Sequence, residues 1–451
     1  MKNSVIVGCL MLLLSACCQH AETTFELALP GDDNRSVDVE TADEREALTF
    51  QLSDSLRKAS FGLSLAGGEY ARLWVGDLPF LVWVENEKPW SAELKWNELH
   101  FKGPGEEINS YLNTRFVHQF YFNDYYRMED AEFRGQLQKV IGEREKVLQE
   151  RELDTKFVER EKKRLQWLRN YHLASFAVGA ISRAEPTMLS GESEAELQLA
   201  TLEDTGCWGI PEYPETIKRI LQAIAQRDTS LTDAYSRLLC VLKMATENYK
   251  DQRLVEFLVN KSVMEYIRLN GMENTTEMDR VFRGNVHRLE YVAAYNEMYE
   301  ANRSLFKGQP AIAFTLPDTT GKMVSLSDFR GKYVYIDMWA TWCGPCRAQI
   351  PHLEALEKRL EGKNICFVSI SCDNGQKEWK RYVKDHQLKG VQLYLGYDKE
   401  FMKSIQCNGI PRFILIDPEG NYVNANMSRP SDAETLKILE SLPGYNIGAC
   451  F

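Results

Sequence analysis

The stretch Tyr333–Pro351, YVYIDMWATWCGPCRAQIP, decides the fold of the C-terminal third of this chain. Tyr333 to Trp339 is apolar except for Asp337, the pattern of a central parallel strand covered on both faces. A short turn then delivers Cys343 and Cys346, and Ala348, Ile350, Leu353, Leu356 and Leu360 follow at helical spacing. The cysteine pair therefore sits where a buried strand hands over to a helix. In the first helical turn, Cys343 faces N–H groups without intrahelical acceptors and the positive end of the helix dipole, and both favour a thiolate. Cys346, one turn further in, is the less exposed thiol and the natural resolving partner.

A Cys-x-x-Cys pair is also half of a zinc site. Structural zinc takes four ligands, usually as two close pairs, and no second CxxC or HxxxH completes such a set here. The strand-to-helix position favours redox chemistry, with no metal and no cofactor. Outward from the pair, a linker-like KGQP at Lys307–Pro310 precedes alternating segments: AIAFTL, MVSL, the buried strand, its helix, ICFVSI, EWKRYVKDH, VQLYL, a further helix, FILID, the turn PEGN, a last strand and a last helix. That order predicts a mixed sheet with helices on both faces.

WCGPC, its upstream strand and the downstream Gly409-Ile410-Pro411 resemble the thioredoxin superfamily. FTLPDTTGKMVSLSDFRGKYVYIDMWATWCGPC followed by GIPRFILIDPEG resembles its TlpA/ResA-like extracytoplasmic branch, over Lys307 to Leu442. The resemblance implies a thioredoxin-like fold and thiol-disulfide oxidoreductase activity directed at protein disulfides. It makes Cys343 the nucleophile, Cys346 the resolving thiol and Pro411 a cis-proline. Trp342, Gly344, Pro345, Ile410 and Pro411 would form the substrate-binding surface. Asp337, six residues before Cys343, matches the buried carboxylate that accepts the resolving thiol's proton, a role that a burial-raised pKa suits. Many members of this branch carry a glutamate three residues after the second cysteine. Here that place is Gln349, so any acid–base work of that glutamate falls to Asp337.

Upstream, residues 108–305 are dominated by helical periodicity, as in Phe133, Leu137, Val140, Ile141 and Leu148, and predict an α-helical domain of several antiparallel helices. The run EREKVLQERELDTKFVEREKKRL lacks a strict heptad and reads as one solvated helix of that bundle. Residues 17–107 read as a β-rich module of strands separated by turn signals, with Trp74, Phe80, Trp83 and Trp90 as core aromatics. The chain is thus multidomain, with a thioredoxin-like domain over 306–451. Its first two thirds resemble the N-terminal extensions of lipoprotein thioredoxins of Bacteroidetes.

Residues 1–16 have the layout of a signal peptide, with Lys2 before an apolar run from Val5 to Leu14 that is too short to span a bilayer. Leu14-Ser15-Ala16-Cys17 resembles the lipobox of bacterial lipoproteins, which implies lipidation of Cys17 and a membrane-anchored periplasmic protein. Its partners would be disulfide-containing periplasmic proteins and an upstream, membrane-borne thiol donor. The chain has 451 residues, 44% hydrophobic and 26% charged, and a net charge of -11 without a basic cluster excludes nucleic acid as a partner.

Of the 11 cysteines, an odd number remains after Cys9, Cys17 and the active pair are set aside, so they cannot all pair internally. Cys366 and Cys372 bound a strand, CFVSISC, whose ends lie about 20 Å apart and out of disulfide reach. Cys207 with Cys240 is the candidate structural bridge, and Cys407 fills an apolar slot as a packed thiol. Two other functions compete. A peroxiredoxin-like peroxide reductase shares the FTLPD…LSDFRGK lead-in but keeps a threonine where Ala340 stands. A copper chaperone of this fold spaces its cysteines by three residues rather than two.

Overall fold

A computed structural model describes residues 23–43, 45–53, 55–63, 68–86, 88–114, 128–181, 189–272 and 275–444. The signal segment 1–16 and the lipidation candidate Cys17 lie outside the described residues. The chain forms two compact units, Met1–Thr229 and Ser230–Phe451.

The first unit opens with strands β1 (Thr23–Pro30), β2 (Val37–Glu40), β3 (Arg45–Ala47), β4 (Gln51–Ser53), β5 (Leu56–Leu63), β6 (Glu69–Val75), β7 (Leu78–Val84), β8 (Ser91–Lys95) and β9 (Glu98–Lys102). They form two sheets, ordered β4-β5-β1-β8-β9 and β3-β2-β6-β7. Alternation along the strands turns Phe25, Leu27, Leu73, Val82 and Trp90 into one core. Trp90 there meets the rings of Phe25, Phe61 and Phe101.

Helices α1 (Glu106–Leu112), α2 (Asp130–Glu150), α3 (Thr155–Ile181), α4 (Gly191–Leu199) and α5 (Glu212–Arg227) complete the unit. The run expected as one helix is two. Asp154 accepts hydrogen bonds from the backbone N–H groups of Lys156 and Phe157 (2.9 and 3.3 Å), an N-terminal capping arrangement that starts α3 anew after Arg151. Sheet and helices are locked by a buried charge. Glu161 on α3, fully buried, accepts from the hydroxyls of Tyr70 on β6 (2.6 Å) and Tyr111 on α1 (3.1 Å) and pairs with Arg164 (2.8 Å). The boundary between the two units falls inside the helical stretch 108–305, and in the first unit Glu161 on α3 joins Tyr111 of α1 to the sheet residue Tyr70.

Cys207 and Cys240 do not form the expected bridge, and both remain thiols. Cys207 donates to the Asp204 carboxylate (3.1 Å) and accepts from the Trp167 indole (3.2 Å), and the two cysteines belong to different units. Cys366, Cys372 and Cys407 are thiols as well.

The second unit begins with helices α6 (Ala234–Asn248), α7 (Gln252–Asn270), α8 (Thr276–Asn285) and α9 (Leu289–Arg303). It continues with β10 (Thr315–Pro317), β11 (Met323–Ser325), β12 (Tyr333–Trp339), α10 (Gly344–Arg359), β13 (Ile365–Ser371), α11 (Gln376–Asp385), β14 (Val391–Tyr394), α12 (Lys399–Ser404), β15 (Arg412–Ile416), β16 (Tyr422–Met427) and α13 (Ala433–Glu440). The main sheet is ordered β14-β13-β12-β15-β16, with β12 parallel to β13 and antiparallel to β15. This is a thioredoxin-like sheet, and β12 lies at its centre with all seven residues buried. One face packs Val334, Ile336 and Met338 against Ile370 and Ile414, and the other packs Tyr333 and Tyr335 against Leu353, Phe367 and Leu415. Among the described residues, no helix is long and apolar enough to cross a membrane.

Removing one partner of a buried charge pair leaves the other unpaired in low dielectric. Replacement of Glu161 by Gln is expected to destabilise the first unit by about 3 kcal/mol, read as a lower urea midpoint for its transition.

Candidate active site

The site is built where β12 ends. Trp339 is its last residue, and after a tight turn Cys343 becomes the N-cap of α10, with Pro345 in the first helical turn where its missing N–H costs nothing. Cys343 and Cys346 form a disulfide. The Cys343 Sγ accepts the Cys346 backbone N–H at 3.2 Å, so the sulfur occupies the place of a capping oxygen and takes one of the helix's orphan donors. Both sulfurs pack among Trp339, Ala340, Trp379 and Val383. Trp342, 66% exposed, stands on the surface beside them.

The Ile410–Pro411 bond is cis, and the Ile410 carbonyl oxygen lies 3.8 Å from the Cys343 Sγ. The site thus brings together Cys343, Cys346 and the Ile410-Pro411 turn from segments more than sixty residues apart. Gln349 is buried on α10, and its side-chain oxygen accepts the Ser431 N–H at 3.0 Å. It pins the loop before α13 to the active-site helix.

Asp337 is 5% exposed, no compensating charge meets it among the described residues, and burial alone pushes its pKa up to about 7. Beside it lies a cavity of about 20 Å³ walled in part by Trp339, Glu357, Lys389 and Gln392, enough for one water. Among the described residues, Asp337 Oδ1, Trp339 Nε1 and Gln392 Oε1 have no hydrogen-bond partner, and all three residues line this cavity. Glu357 shares its wall. Burial first, and then the charge of Glu354, push Glu357 up to about 7, against the opposing pull of Lys389.

Two residues of this neighbourhood have no motif in the sequence. Glu357 is one. The other is Asp373, buried just past β13, which accepts from the Thr341 N–H (3.0 Å), the Thr341 hydroxyl (2.7 Å) and the Ser371 hydroxyl (2.8 Å). It fixes the loop two residues before Cys343. The strand-end signal SCDNG marks a turn but says nothing of a partner 32 residues upstream.

A family model described as Redoxin matches residues 306–439. The thiol-disulfide oxidoreductase ResA of Bacillus subtilis is 28% identical over 129 residues, which is 29% of this chain and 72% of that protein. A Bacteroides vulgatus protein assigned as a thiol-disulfide oxidoreductase, solved in solution, is 53% identical over 30% of this chain and 89% of its own, with a TM-score of 0.28. The crystallised thioredoxin domain of another Bacteroides vulgatus thiol-disulfide oxidoreductase is 32% identical, covering 30% of this chain and 95% of its own, with a TM-score of 0.28. Each relative aligns with the C-terminal third.

Two outcomes follow from this geometry. Because the Asp337 pKa in the fold is raised, its contribution to stability is present below the unfolded value near 3.8 and is lost as pH rises through about 7. Asp337→Asn is therefore expected to leave stability at pH 4 nearly unchanged and to raise it at pH 8 by on the order of 4 kcal/mol, at 1.36 kcal/mol per pKa unit, in urea titrations at both pH values. Asp373→Ala is expected to cost about 1–3 kcal/mol by leaving Thr341 without its acceptor and to slow alkylation or exchange at Cys343, measured on the reduced protein.

Proposed function

We propose, from the premise that residues 306–439 belong to the redoxin family and resemble the thiol-disulfide oxidoreductase ResA, that the chain reduces disulfides of substrate proteins outside the cytoplasm with a Cys343/Cys346 couple. The observation that carries the reading is the Cys343–Cys346 disulfide at the N-terminus of α10, with the Ile410 carbonyl against its outer sulfur.

In the reduced protein the N-cap position stabilises Cys343 as a thiolate. The thiolate attacks a substrate disulfide, forming a Cys343–substrate bond and expelling the other substrate sulfur as a thiolate that takes up a proton. Asp337 accepts the Cys346 proton, and the Cys346 sulfur then attacks Cys343. That step restores the internal disulfide and releases the second substrate thiol, so two electrons have passed from the dithiol to the substrate. A thiol donor returns them. An Asp337 with a pKa near 7 is poised to gain and lose this proton at neutral pH, and the cavity shared with Glu357 gives the proton a way out of the core. Trp342, Gly344, Pro345, Ile410 and Pro411 form the surface against which the substrate lies. The signal-like residues 1–16 and Cys17 support export and anchoring by a lipid, with a membrane-borne thiol donor as the proposed partner.

Replacement of Cys346 by Ser removes the resolving attack. The variant is expected to accumulate a mixed disulfide at Cys343, seen as a reducible mass increase, whereas Cys343→Ser accumulates none. If no adduct forms while Cys343 still reacts with a maleimide, the cycle is wrong. The reduction potential of the couple is expected nearer the roughly −270 mV of a reductase than the roughly −120 mV of a strong oxidant, measured by equilibration with defined thiol–disulfide buffers.

A further inference from the structure

The parallel strands behind the disulfide end side by side. Trp339, Ser371 and Tyr394 lie in register across β12, β13 and β14. The Trp339 carbonyl accepts the Cys372 N–H at 2.8 Å, and the Ser371 carbonyl accepts the Leu395 and Gly396 N–H groups at 3.0 and 3.1 Å. Neighbouring strands are about 4.8 Å apart, so the end of β14 stands roughly 10 Å across the sheet from the end of β12. Three loops leave the sheet at this one end, and they carry Cys343, Asp373 and Tyr397 in that order across it. The carboxyl end of parallel strands is where open α/β sheets receive their ligands.

Packing follows the same row. Trp379 shares a cluster with Cys343 and Cys346, Tyr394 packs against that cluster, and the rings of Trp379 and Tyr394 are 5.4 Å apart. Over residues 306–444, the exposed large apolar side chains among the described residues are Met323, Trp342 and Tyr397. The two aromatic ones, 66% and 68% exposed, both stand on loops of the reactive end. Single exposed apolar residues are ordinary, but a tryptophan and a tyrosine beside a nucleophile are the side chains that carry binding energy at interfaces. Asp398, Lys399 and Glu400 follow Tyr397 with alternating charge, so this loop offers apolar contact rather than a field of one sign.

We propose that Trp342 and Tyr397 form an apolar docking row for the polypeptide flanking the substrate disulfide, and that Tyr397 selects extended chains with a large apolar side chain about three residues from the reacting cysteine. This rests on the oxidoreductase reading and names its substrate class. An extended chain advances about 3.3 Å per residue, so about three residues cover the roughly 10 Å between the ends of β12 and β14.

The test uses the reduced full chain and acetylated, amidated peptides joined as symmetric disulfides, with Phe or Ser three positions before or after the cysteine. Hydroxyethyl disulfide serves as a reference without flanking residues. In one of the two chain directions the rate constant for the Phe peptide should exceed that for the Ser peptide about tenfold, the scale of burying one large apolar side chain. In the other direction the two should match. The ratio should hold between about 0.1 and about 1 M salt, where a preference based on charge would fade. Tyr397→Ser, at an exposed position outside the core, should bring the tenfold ratio to about one. Equal rates for Phe and Ser in both directions, alongside reduction of hydroxyethyl disulfide, would overturn the docking inference alone, as would a preference that survives Tyr397→Ser. Reduction of none of these disulfides would overturn the oxidoreductase reading and the inference with it.

Discussion

Everything at the active end of this protein depends on a buried strand that must stop. β12 is covered on both faces and paired on both edges, so its position in the sheet is over-determined. Where it ends, the chain turns into α10, and the first N–H groups of that helix need acceptors. A sulfur fills one of those places, and the chemistry of the pair follows from its being the cap. The strand supplies rigidity and the helix supplies the field.

Three ionisable groups buried near that junction are treated in three different ways. Asp373 is satisfied by hydroxyl and backbone donors and holds the loop. Asp337 receives no donor among the described residues and opens on a small cavity, so burial alone lifts its pKa to about 7. Among the described residues, Arg412 finds carbonyl oxygens but no carboxylate. Full satisfaction gives a fixed loop, burial without a donor gives a titrating group, and carbonyl acceptors alone hold the arginine. The same cost of burying charge is put to three uses.

Much of this could be read from the residues in order. The apolar run with one aspartate foretold a strand buried on both faces, and the alternation of segments after Lys307 foretold the mixed sheet. Local signals missed what long-range partners decide. Glu357 reads as an ordinary polar position on a helix, yet the fold puts it on the wall of the Asp337 cavity. Gln349 reads as a lost acid, and the fold gives it the Ser431 N–H instead. Cysteine number and compartment alone suggest a Cys207–Cys240 bridge, whereas Asp204 and Trp167 hold the Cys207 thiol. The long charged run looked like one helix because its periodicity nearly continues through the break, and only the Asp154 cap reveals the new start.

The sequence by itself determined the strand, the helix and the thiol pair between them, because periodicity and spacing along the chain are local properties. It also determined that Asp337 points inward, since its neighbours in the strand leave it no wet face. Only the tertiary structure decided which groups meet from a distance: the Ile410 carbonyl at the sulfur, Asp373 behind Thr341, Glu357 beside the aspartate's cavity and the Ala425 and Ile405 carbonyls at Arg412. Those meetings depend on how separate elements cross in space, and the free energy of a buried charge depends on every group around it, not on its neighbours in the chain.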